Sequence, residues 1–128
     1  MVRVIIGTWN VNSIRKRLVH LCEWLKKESI DVALLQETRC TNQQFPYDEL
    51  NQIGYTSVAE GQKGRNGVAI ISRYPVEKIH SFLPGCPVTI GDESLLDTDP
   101  PEARYIEGLI SVGSQKIRVA SVYVPNGR

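Results

Sequence analysis

The sequence has few of the residues that mark several common kinds of catalytic site. Its 128 residues include two histidines and three cysteines, and none of them stands in the spacing of a zinc site. The odd number of cysteines favours reduced thiols in an intracellular protein over a disulfide framework. The sequence has no Gly-x-Ser-x-Gly segment and no apparent set of nucleophile, base and orienting group. Any catalytic site in this chain would therefore depend on other side chains.

The chain also lacks a strong net charge and a long apolar run. Its formal net charge of +1 does not indicate a nucleic-acid partner, although a local basic rim remains compatible with it. No apolar stretch approaches the ~20 residues that cross a bilayer, and Met1 leads directly into a strand-like segment rather than a signal peptide. We therefore expect a cytoplasmic protein without a membrane partner. The composition, 41% hydrophobic and 23% charged, is that of a globular domain.

The first third of the chain has the pattern of a β-α-β unit. Residues 2–9 are rich in β-branched side chains and predict a buried strand. Asn12 or Ser13 is suited to cap the helix that follows, and residues 32–35 predict a second buried strand. The predicted helix has one apolar face, which consists of Ile14, Leu18, Leu21, Cys22 and Leu25.

The remaining chain is rich in predicted strands. Residues 86–101 contain several prolines, glycines and acidic residues and predict a long irregular segment. The sequence Gly113-Ser114-Gln115 predicts a hairpin between its flanking strands. The expected fold class is therefore α+β, with a mixed β-sheet and helices on one face. The other predicted elements are a short helix at 46–53 and strands at 55–59, 67–72, 76–82, 105–112 and 116–123.

Polar clusters follow three of the predicted strands, as "TWNVNS", "QETR" and "YVPNGR". Glu37, at the end of a buried strand, is suited to bind Mg²⁺, which takes one or two carboxylates and keeps several waters. The alternative is a solvated residue at a strand end. The amides of Asn10 and Asn12 could orient a phosphate or a metal-bound water, or they could only shape a turn and cap the helix.

Other candidates are aromatic or basic. Tyr123 could donate a hydrogen bond to a phosphate oxygen, or it could be only an aromatic strand residue. Arg39 and Arg128 could pair with phosphate oxygens, although solvated surface charge is the ordinary role for both. The basic loop in "KGRNGVAIISR" could contact a phosphate backbone, but it lacks the Gly-Lys-Ser/Thr ending of a P-loop.

Four segments, in their order along the chain, resemble the exodeoxyribonuclease III type of abasic-site endonuclease. They are "TWNVNSIRKRL", "IDVALLQETR", "GRNGVAIISR" and "VYVPNGR", and this type belongs to the exonuclease-endonuclease-phosphatase superfamily. The resemblance implies a DNA-repair nuclease that depends on Mg²⁺ or Mn²⁺ and hydrolyses DNA phosphodiesters. Its implied partner is double-stranded DNA with abasic sites or 3′ ends.

The resemblance also assigns expected roles to individual residues. It implies that Glu37 and Asn12 lie at the metal, and that Asn10 and Tyr123 are catalytic. Arg39 stands where lysine is usual, which keeps the charge but changes the donor geometry. Arg65 stands where relatives often have tyrosine. The residues expected to contact DNA are Arg39, Arg65, Asn126 and Arg128.

The resemblance covers one half of a longer architecture. Members of this family are built from two similar halves that form a four-layer α-β-β-α sandwich, and residues 1–128 correspond to the N-terminal half. The absent half would supply a Gly-Asp-x-Asn segment, with the aspartate that activates water, and a Ser-Asp-His segment. We therefore expect the isolated chain to be inactive.

Two other functions remain open from the sequence. The chain could be a non-catalytic half-sandwich that self-associates, or pairs with a second chain, through an open sheet face presented by strands such as 68–71 and 119–122. It could also be a phosphoesterase of the same superfamily that acts on lipids or inositol phosphates. The segments "NVNSIRKRL" and "YVPNGR" fit the DNA-repair branch better.

Overall fold

The computed structural model describes residues 3–81 and 102–125. The helices are α1 (Ile14–Lys27) and α2 (Tyr47–Gln52). The strands are β1 (Ile6–Asn10), β2 (Val32–Gln36), β3 (Thr56–Glu60), β4 (Val68–Ser72), β5 (Val76–His80), β6 (Tyr105–Val112) and β7 (Gln115–Val122).

The first sheet has four strands in the order β1-β2-β4-β3. β1 and β2 are parallel and are connected by α1, whereas β4 is antiparallel to both β2 and β3. Side chains on one face of this sheet, such as Ala33, Leu35 and Ile71, form a core with Leu21 and Leu25 of α1. The helices therefore cover one face of a mixed sheet, as the sequence predicts.

A second sheet, with the order β5-β6-β7, covers the opposite face of the first. Val32 and Ile70 project from the first sheet into a core shared with Ile106 and Ile110 of β6. Gly108 lets the sheets approach closely, because a Cβ atom built there would lie 2.9 Å from Cδ1 of Ile70. The result is a three-layer arrangement of helices, a four-stranded sheet and a three-stranded sheet.

This arrangement corrects the prediction of an open sheet face. Val68 and Ile70 are fully buried, because strands of the same chain form the second sheet over them. Residues 119–122 lie in β7, which is part of that covering sheet. At β1 the covering sheet leaves Ile6 46% exposed, although its partner Val32 in β2 is fully buried. The exposed part of this face is therefore a margin along β1.

The local sequence signals for helix and turn are confirmed. The Ser13 side chain caps α1 by accepting a hydrogen bond from the Lys16 backbone N–H, at 3.4 Å. Gly113 and Ser114 form the two-residue turn between β6 and β7, because Val112 pairs directly with Gln115. Phe82 and the irregular segment predicted at 86–101 lie outside the described residues.

The predicted strand bounds differ mainly at the N-terminus. The sequence predicts a strand at 2–9, but β1 begins at Ile6. Before it, the Ile5 carbonyl accepts hydrogen bonds from the backbone N–H groups of Asp31 and Val32, and the Ile5 N–H donates to the Asp31 carboxylate. At Ile5, the hydrogen bond to the Asp31 carboxylate takes the place of regular strand pairing. In the described part of the chain, neither helix is long and apolar enough to span a membrane.

Candidate active site

The candidate site lies at one end of the first sheet, where Glu37 directly follows β2. β1 runs parallel to β2 and its last residue, Asn10, pairs with Gln36, so Asn10 and Glu37 reach the same end of the sheet. Tyr123 directly follows β7 of the second sheet. Residues that are distant in sequence thus meet where three strands end, which is where open α/β sheets commonly bind ligands.

The Glu37 carboxylate is held by two neighbouring side chains. The Asn10 amide donates a hydrogen bond to Oε1 at 2.9 Å. The Arg39 guanidinium donates two hydrogen bonds to Oε2, from Nε at 3.1 Å and from an Nη at 2.7 Å. The Glu37 side chain is 16% exposed, so the carboxylate is sheltered but still open to solvent. Its orientation is fixed before any ligand binds.

These contacts favour the ionised form of Glu37. The Asn10 amide, and after it the Arg39 guanidinium, hold the pKa of Glu37 below its ordinary value of 4.5. Partial burial and the negative charge of Glu37 raise the pKa of Tyr123 above its ordinary value of 10.0. At neutral pH the site therefore presents a carboxylate beside a protonated phenol that can donate a hydrogen bond.

The backbone around Glu37 is anchored on both sides. Towards α1, the Ser13 N–H donates to the Glu37 carbonyl at 2.8 Å, and the Ile14 N–H donates to the Thr38 carbonyl at 3.1 Å. Towards the loop before β4, the N–H groups of Thr38 and Arg39 donate to the carbonyls of residues 67 and 66, at 3.2 and 2.9 Å. Segment 37–39 is therefore a bridge between α1 and the start of β4.

Backbone strain is concentrated in the same region. The structure describes six non-glycine residues with positive φ, and five of them lie in this bridge or in the two segments bonded to it. Such conformations persist where surrounding contacts determine them and are frequent at functional sites. The five residues are Asn12, Ser13, Glu37, Arg39 and Asn66.

A polar contact joins the two sheets beside the site. The Gln36 amide donates to Ser121 Oγ at 3.0 Å and to Thr8 Oγ1 at 3.1 Å. The Ser121 hydroxyl in turn donates to the Leu35 carbonyl at 2.7 Å, in a buried position. These bonds fix β7 over β2, and they thereby set the position of Tyr123 relative to Glu37.

The oxygen atoms of the site fit a hard divalent cation held partly by water. Glu37 supplies one ionised carboxylate, and the exposed Asn12 amide lies in the neighbouring loop. No group of three or more His, Cys, Asp or Glu side chains with a metal-binding arrangement occurs within residues 3–81 and 102–125. One carboxylate with several waters is an ordinary set for Mg²⁺, but not for a tightly held Zn²⁺.

The structure brings some of the predicted site residues together and separates others. Asn10, Glu37, Arg39 and Tyr123 form one cluster. Asn12 is connected to it through its backbone, since its N–H donates to Asn10 Oδ1 at 3.1 Å.

The structure describes two of the four residues that are predicted to contact DNA. Arg39 belongs to the cluster, and Arg65 is exposed in the loop that precedes β4. The neighbouring residue, Asn66, accepts the Arg39 N–H through its carbonyl, so Arg65 is close in sequence to a residue that supports the site. Asn126 and Arg128 lie outside the described residues.

Sequence reasoning missed one basic residue beside the cluster. The Arg104 carbonyl accepts the Tyr123 N–H at 2.8 Å, and its guanidinium forms an ion pair with Glu102. The Nε atom of Arg104 is buried without a hydrogen-bond partner. No local signal could have identified it, because Arg104 approaches Tyr123 only through the pairing of β6 with β7.

Known proteins are similar to this chain over most of its length. Residues 7–121 match the profile of the Endonuclease/Exonuclease/phosphatase family. The chain is 27% identical, over 120 residues, to exodeoxyribonuclease III of Haemophilus influenzae. That alignment covers 94% of this chain and 41% of the relative.

Two solved structures are similar to most of the chain. One is a 3′ phosphatase, NExo, from Neisseria bound to a product DNA hairpin, with a TM-score of 0.76 and 35% identity. The match covers 94% of this chain and 41% of that one. The other is an AP endonuclease from Archaeoglobus fulgidus, with a TM-score of 0.75, 38% identity and coverage of 96% and 42%. The chain thus spans about two-fifths of the length of these relatives.

Proposed function

Because this chain belongs to the Endonuclease/Exonuclease/phosphatase family, we propose that its cluster is part of the active site of a DNA-repair nuclease. The proposed type is exodeoxyribonuclease III or abasic-site endonuclease, with Mg²⁺ or Mn²⁺ as cofactor. The observation that carries the proposal is the preorganised Glu37 carboxylate, held between Asn10 and Arg39 beside Tyr123. Both the match to exodeoxyribonuclease III and the likeness to a DNA-bound 3′ phosphatase support it.

Glu37, with support from the Asn12 amide, would hold the divalent cation. When bound there, the cation would polarise a phosphate oxygen and offset the charge that develops on it. Asn10 keeps Glu37 ionised and fixes the direction of its carboxylate through the bond to Oε1. The metal site is thus prepared by a side chain on the neighbouring parallel strand.

Tyr123 and Arg39 would act on the phosphate group itself. The raised pKa of Tyr123 keeps its hydroxyl protonated at neutral pH, so it can donate a hydrogen bond to a phosphate oxygen. The Arg39 guanidinium offers paired donors that match two phosphate oxygens. Arg65, Asn126 and Arg128 would extend the phosphate contacts along DNA, which makes the affinity dependent on salt.

Hydrolysis also requires a group that deprotonates the attacking water. Residues 3–81 and 102–125 contain no group of three or more His, Cys, Asp or Glu side chains that could hold a metal ion, so the described chain supplies no complete set of acidic and histidine groups for this step. We assign that group, as well as an aspartate-histidine pair at the phosphate, to sequence corresponding to the remaining part of the longer relatives. With them, the P–O bond would break in line with the attacking water, at a nucleotide drawn out of the duplex.

Mn²⁺ binding to the purified 128-residue chain tests the metal site directly. Paramagnetic Mn²⁺ should broaden the backbone amide NMR signals of Asn10, Glu37 and Arg39 more than those of α2. Glu37→Gln should remove this broadening, whereas Glu49→Gln, which removes the same charge from an exposed position on α2, should preserve it. Equal broadening in Glu37→Gln would contradict the proposed metal site.

DNA binding tests the substrate class separately. We expect the chain to bind a duplex with one tetrahydrofuran abasic-site analogue, and this affinity should fall as salt rises. Arg39→Gln should weaken DNA binding. Lys27→Gln, at the C-terminal end of α1, removes the same positive charge and serves as the control. Tighter binding to anionic lipid vesicles or inositol phosphates than to the duplex would favour the other phosphoesterase class.

A second candidate, the non-catalytic module that pairs with another copy of the chain, has narrower support. Ile6 is 46% exposed, and a cavity of about 330 Å³ lined by Thr8, Trp9 and Trp24 lies along β1. This margin could accept a second copy. Analytical ultracentrifugation should then show a dimer that Ile6→Lys disrupts, and a monomer at all concentrations would contradict this function.

A further inference from the structure

We propose that Arg39 is an internal cation that competes with the divalent metal for Glu37 and moves to the phosphate of the substrate, so that metal and phosphate binding promote each other. This inference rests on the proposed function and deepens it. The starting observation is the bond pattern at the carboxylate, in which Oε2 receives both hydrogen bonds from Arg39 and Oε1 receives the bond from Asn10.

The hydrogen bonds leave little room for a metal at Oε2. An ionised carboxylate offers about four lone-pair directions, two on each oxygen. Arg39 takes both directions on Oε2, and Asn10 takes one on Oε1. The Tyr123 hydroxyl also lies beside this carboxylate. A cation that approaches Glu37 therefore meets at most one remaining direction, with a positive guanidinium beside it. Full access to the carboxylate requires Arg39 to leave.

Arg39 can leave through its side chain alone. The carbonyls and N–H groups of segment 37–39 are bonded to α1 and to the loop before β4, which holds the backbone in place. Thr38 is buried, and a Cβ atom built on Gly67 would lie 2.0 Å from the Thr38 Oγ1, so the bridge is tightly packed. The Arg39 side chain, by contrast, is 45% exposed. The moving part is thus a rotating guanidinium on a fixed backbone.

A phosphate group offers Arg39 an equivalent partner. The planar guanidinium fork binds phosphate oxygens with the same paired geometry that it uses for a carboxylate. Once Arg39 has moved, Glu37 keeps its bond from Asn10 and presents Oε2 to the metal. Phosphate binding draws the guanidinium away from Glu37, and metal binding to Glu37 frees the guanidinium for the phosphate. The coupling between the two ligands is therefore reciprocal by linkage.

The experiment measures Mn²⁺ affinity of the purified 128-residue chain from free Mn²⁺ by electron paramagnetic resonance. Sulfate serves as a tetrahedral oxyanion probe, with ionic strength held constant by chloride. The variants are Arg39→Gln, Arg39→Lys, Glu37→Gln and, as a control for the loss of one positive charge, Lys27→Gln. Circular dichroism checks the fold of each variant.

Arg39→Gln should bind Mn²⁺ about fivefold more tightly than the unsubstituted chain, as expected for removal of one partly exposed charge-paired competitor. Sulfate should raise the Mn²⁺ affinity of the unsubstituted chain and leave that of Arg39→Gln unchanged. Arg39→Lys, which keeps the charge without the paired donors, should fall between them. Lys27→Gln should respond to sulfate as the unsubstituted chain does.

The outcomes separate this inference from the proposed function. If Glu37→Gln loses Mn²⁺ binding but Arg39→Gln binds as the unsubstituted chain does, the competition is refuted while the metal site stands. An equal sulfate response in Arg39→Gln and the unsubstituted chain refutes the coupling. If Glu37→Gln binds Mn²⁺ unchanged, or no variant binds it, both the metal site and the inference are wrong.

Discussion

At the scale of single residues, the site depends on side chains that fix one another before any ligand arrives. Glu37 is oriented by Asn10 from β1 and by Arg39 from its own segment. The backbone at Glu37 and Arg39 has φ of 55°, which costs free energy for residues with a side chain. The bonds from Ser13 and Ile14 offset that cost. Position, charge and strain at this site are therefore set by neighbouring residues rather than by Glu37 alone.

Asn10→Ala should raise the pKa of Glu37 towards its ordinary value of 4.5, because it removes the bond that lowers this pKa most. The folded-state pKa lies below that of the unfolded chain, so Glu37 contributes stability that is present above about pH 4.5 and is lost as pH falls through the folded pKa. NMR titration of the Glu37 carboxyl in metal-free buffer measures the change. Asn51→Ala, at an exposed position of α2, should leave that pKa unchanged. An unchanged pKa in Asn10→Ala would contradict the prediction.

Gly67→Ala should destabilise the fold and disturb the site. Gly67 has φ of 98°, and an added Cβ would lie 2.0 Å from the Thr38 Oγ1. Gly113→Ala is the matched control, since Gly113 also has positive φ but nothing lies within 4 Å of an added Cβ. Both variants incur the conformational cost, and Gly67→Ala should lose about 1–3 kcal/mol more for overpacking. Urea unfolding measures the difference, and equal losses would show that Thr38 yields without cost.

At the scale of elements, β4 is the centre of the molecule. All five of its residues are buried, because helices cover one face and the second sheet covers the other. Its first four residues are all apolar, which is typical of a strand covered on both faces. By contrast, β1 lies at the edge of its sheet and alternates between exposed and half-buried residues. The same sheet thus includes a fully enclosed strand and a half-covered one.

Ile70→Ala should lower the free energy of unfolding by about 2–5 kcal/mol, since it leaves a cavity between the sheets. Ile6→Ala removes the same atoms from β1, where the side chain is 46% exposed, and should cost about 1 kcal/mol or less. Urea denaturation of both variants measures the contrast. A small loss for Ile70→Ala would show that the second sheet does not pack on β4 in solution.

The sequence allowed the elements to be predicted better than their assembly. Hydrophobic patterns predicted the β-α-β unit, and local capping and turn residues predicted a cap at Asn12 or Ser13 and the turn at Gly113, because these features depend on neighbouring residues. Hydrophobic patterns could not reveal that β5, β6 and β7 form a second sheet over Val68 and Ile70, because a strand that is buried on both faces has the same pattern whichever segment covers it. Glu37 was identifiable from its place after a buried strand. Arg104 was not, because its approach to Tyr123 depends on strand register.

At the scale of the whole molecule, the described chain is a layered unit whose candidate site lies at one end of its two sheets. Asn10, Glu37 and Tyr123 meet at one end of the paired sheets, and Ile6 and Val122 are left partly exposed along their outer strands. The chain spans about two-fifths of the length of its relatives. In the proposed function, the carboxylate, the phenol and the guanidinium of this cluster would form the part of the active site that binds the phosphate.

The purified 128-residue chain should not cleave a duplex with an abasic site in Mg²⁺ or Mn²⁺. Its described residues include no group of three or more His, Cys, Asp or Glu side chains that could hold a metal ion, and we assign the group that activates water to the remaining part of the longer relatives. Gel analysis of a labelled duplex, with and without chelator, measures cleavage and 3′-phosphate release. Cleavage that requires metal and is abolished in Glu37→Gln would show that the chain has a complete site.

The bond between Gln36 and Ser121 has a consequence for the order in which the molecule folds. It joins residues 85 positions apart, beside the candidate site. Closing so long a loop is slow compared with forming α1 or the hairpin of β6 and β7. Tyr123 therefore reaches Glu37 only after both sheets have docked. During synthesis and refolding, the candidate site would be among the last features to form, so a partly folded chain would not yet have Tyr123 beside Glu37.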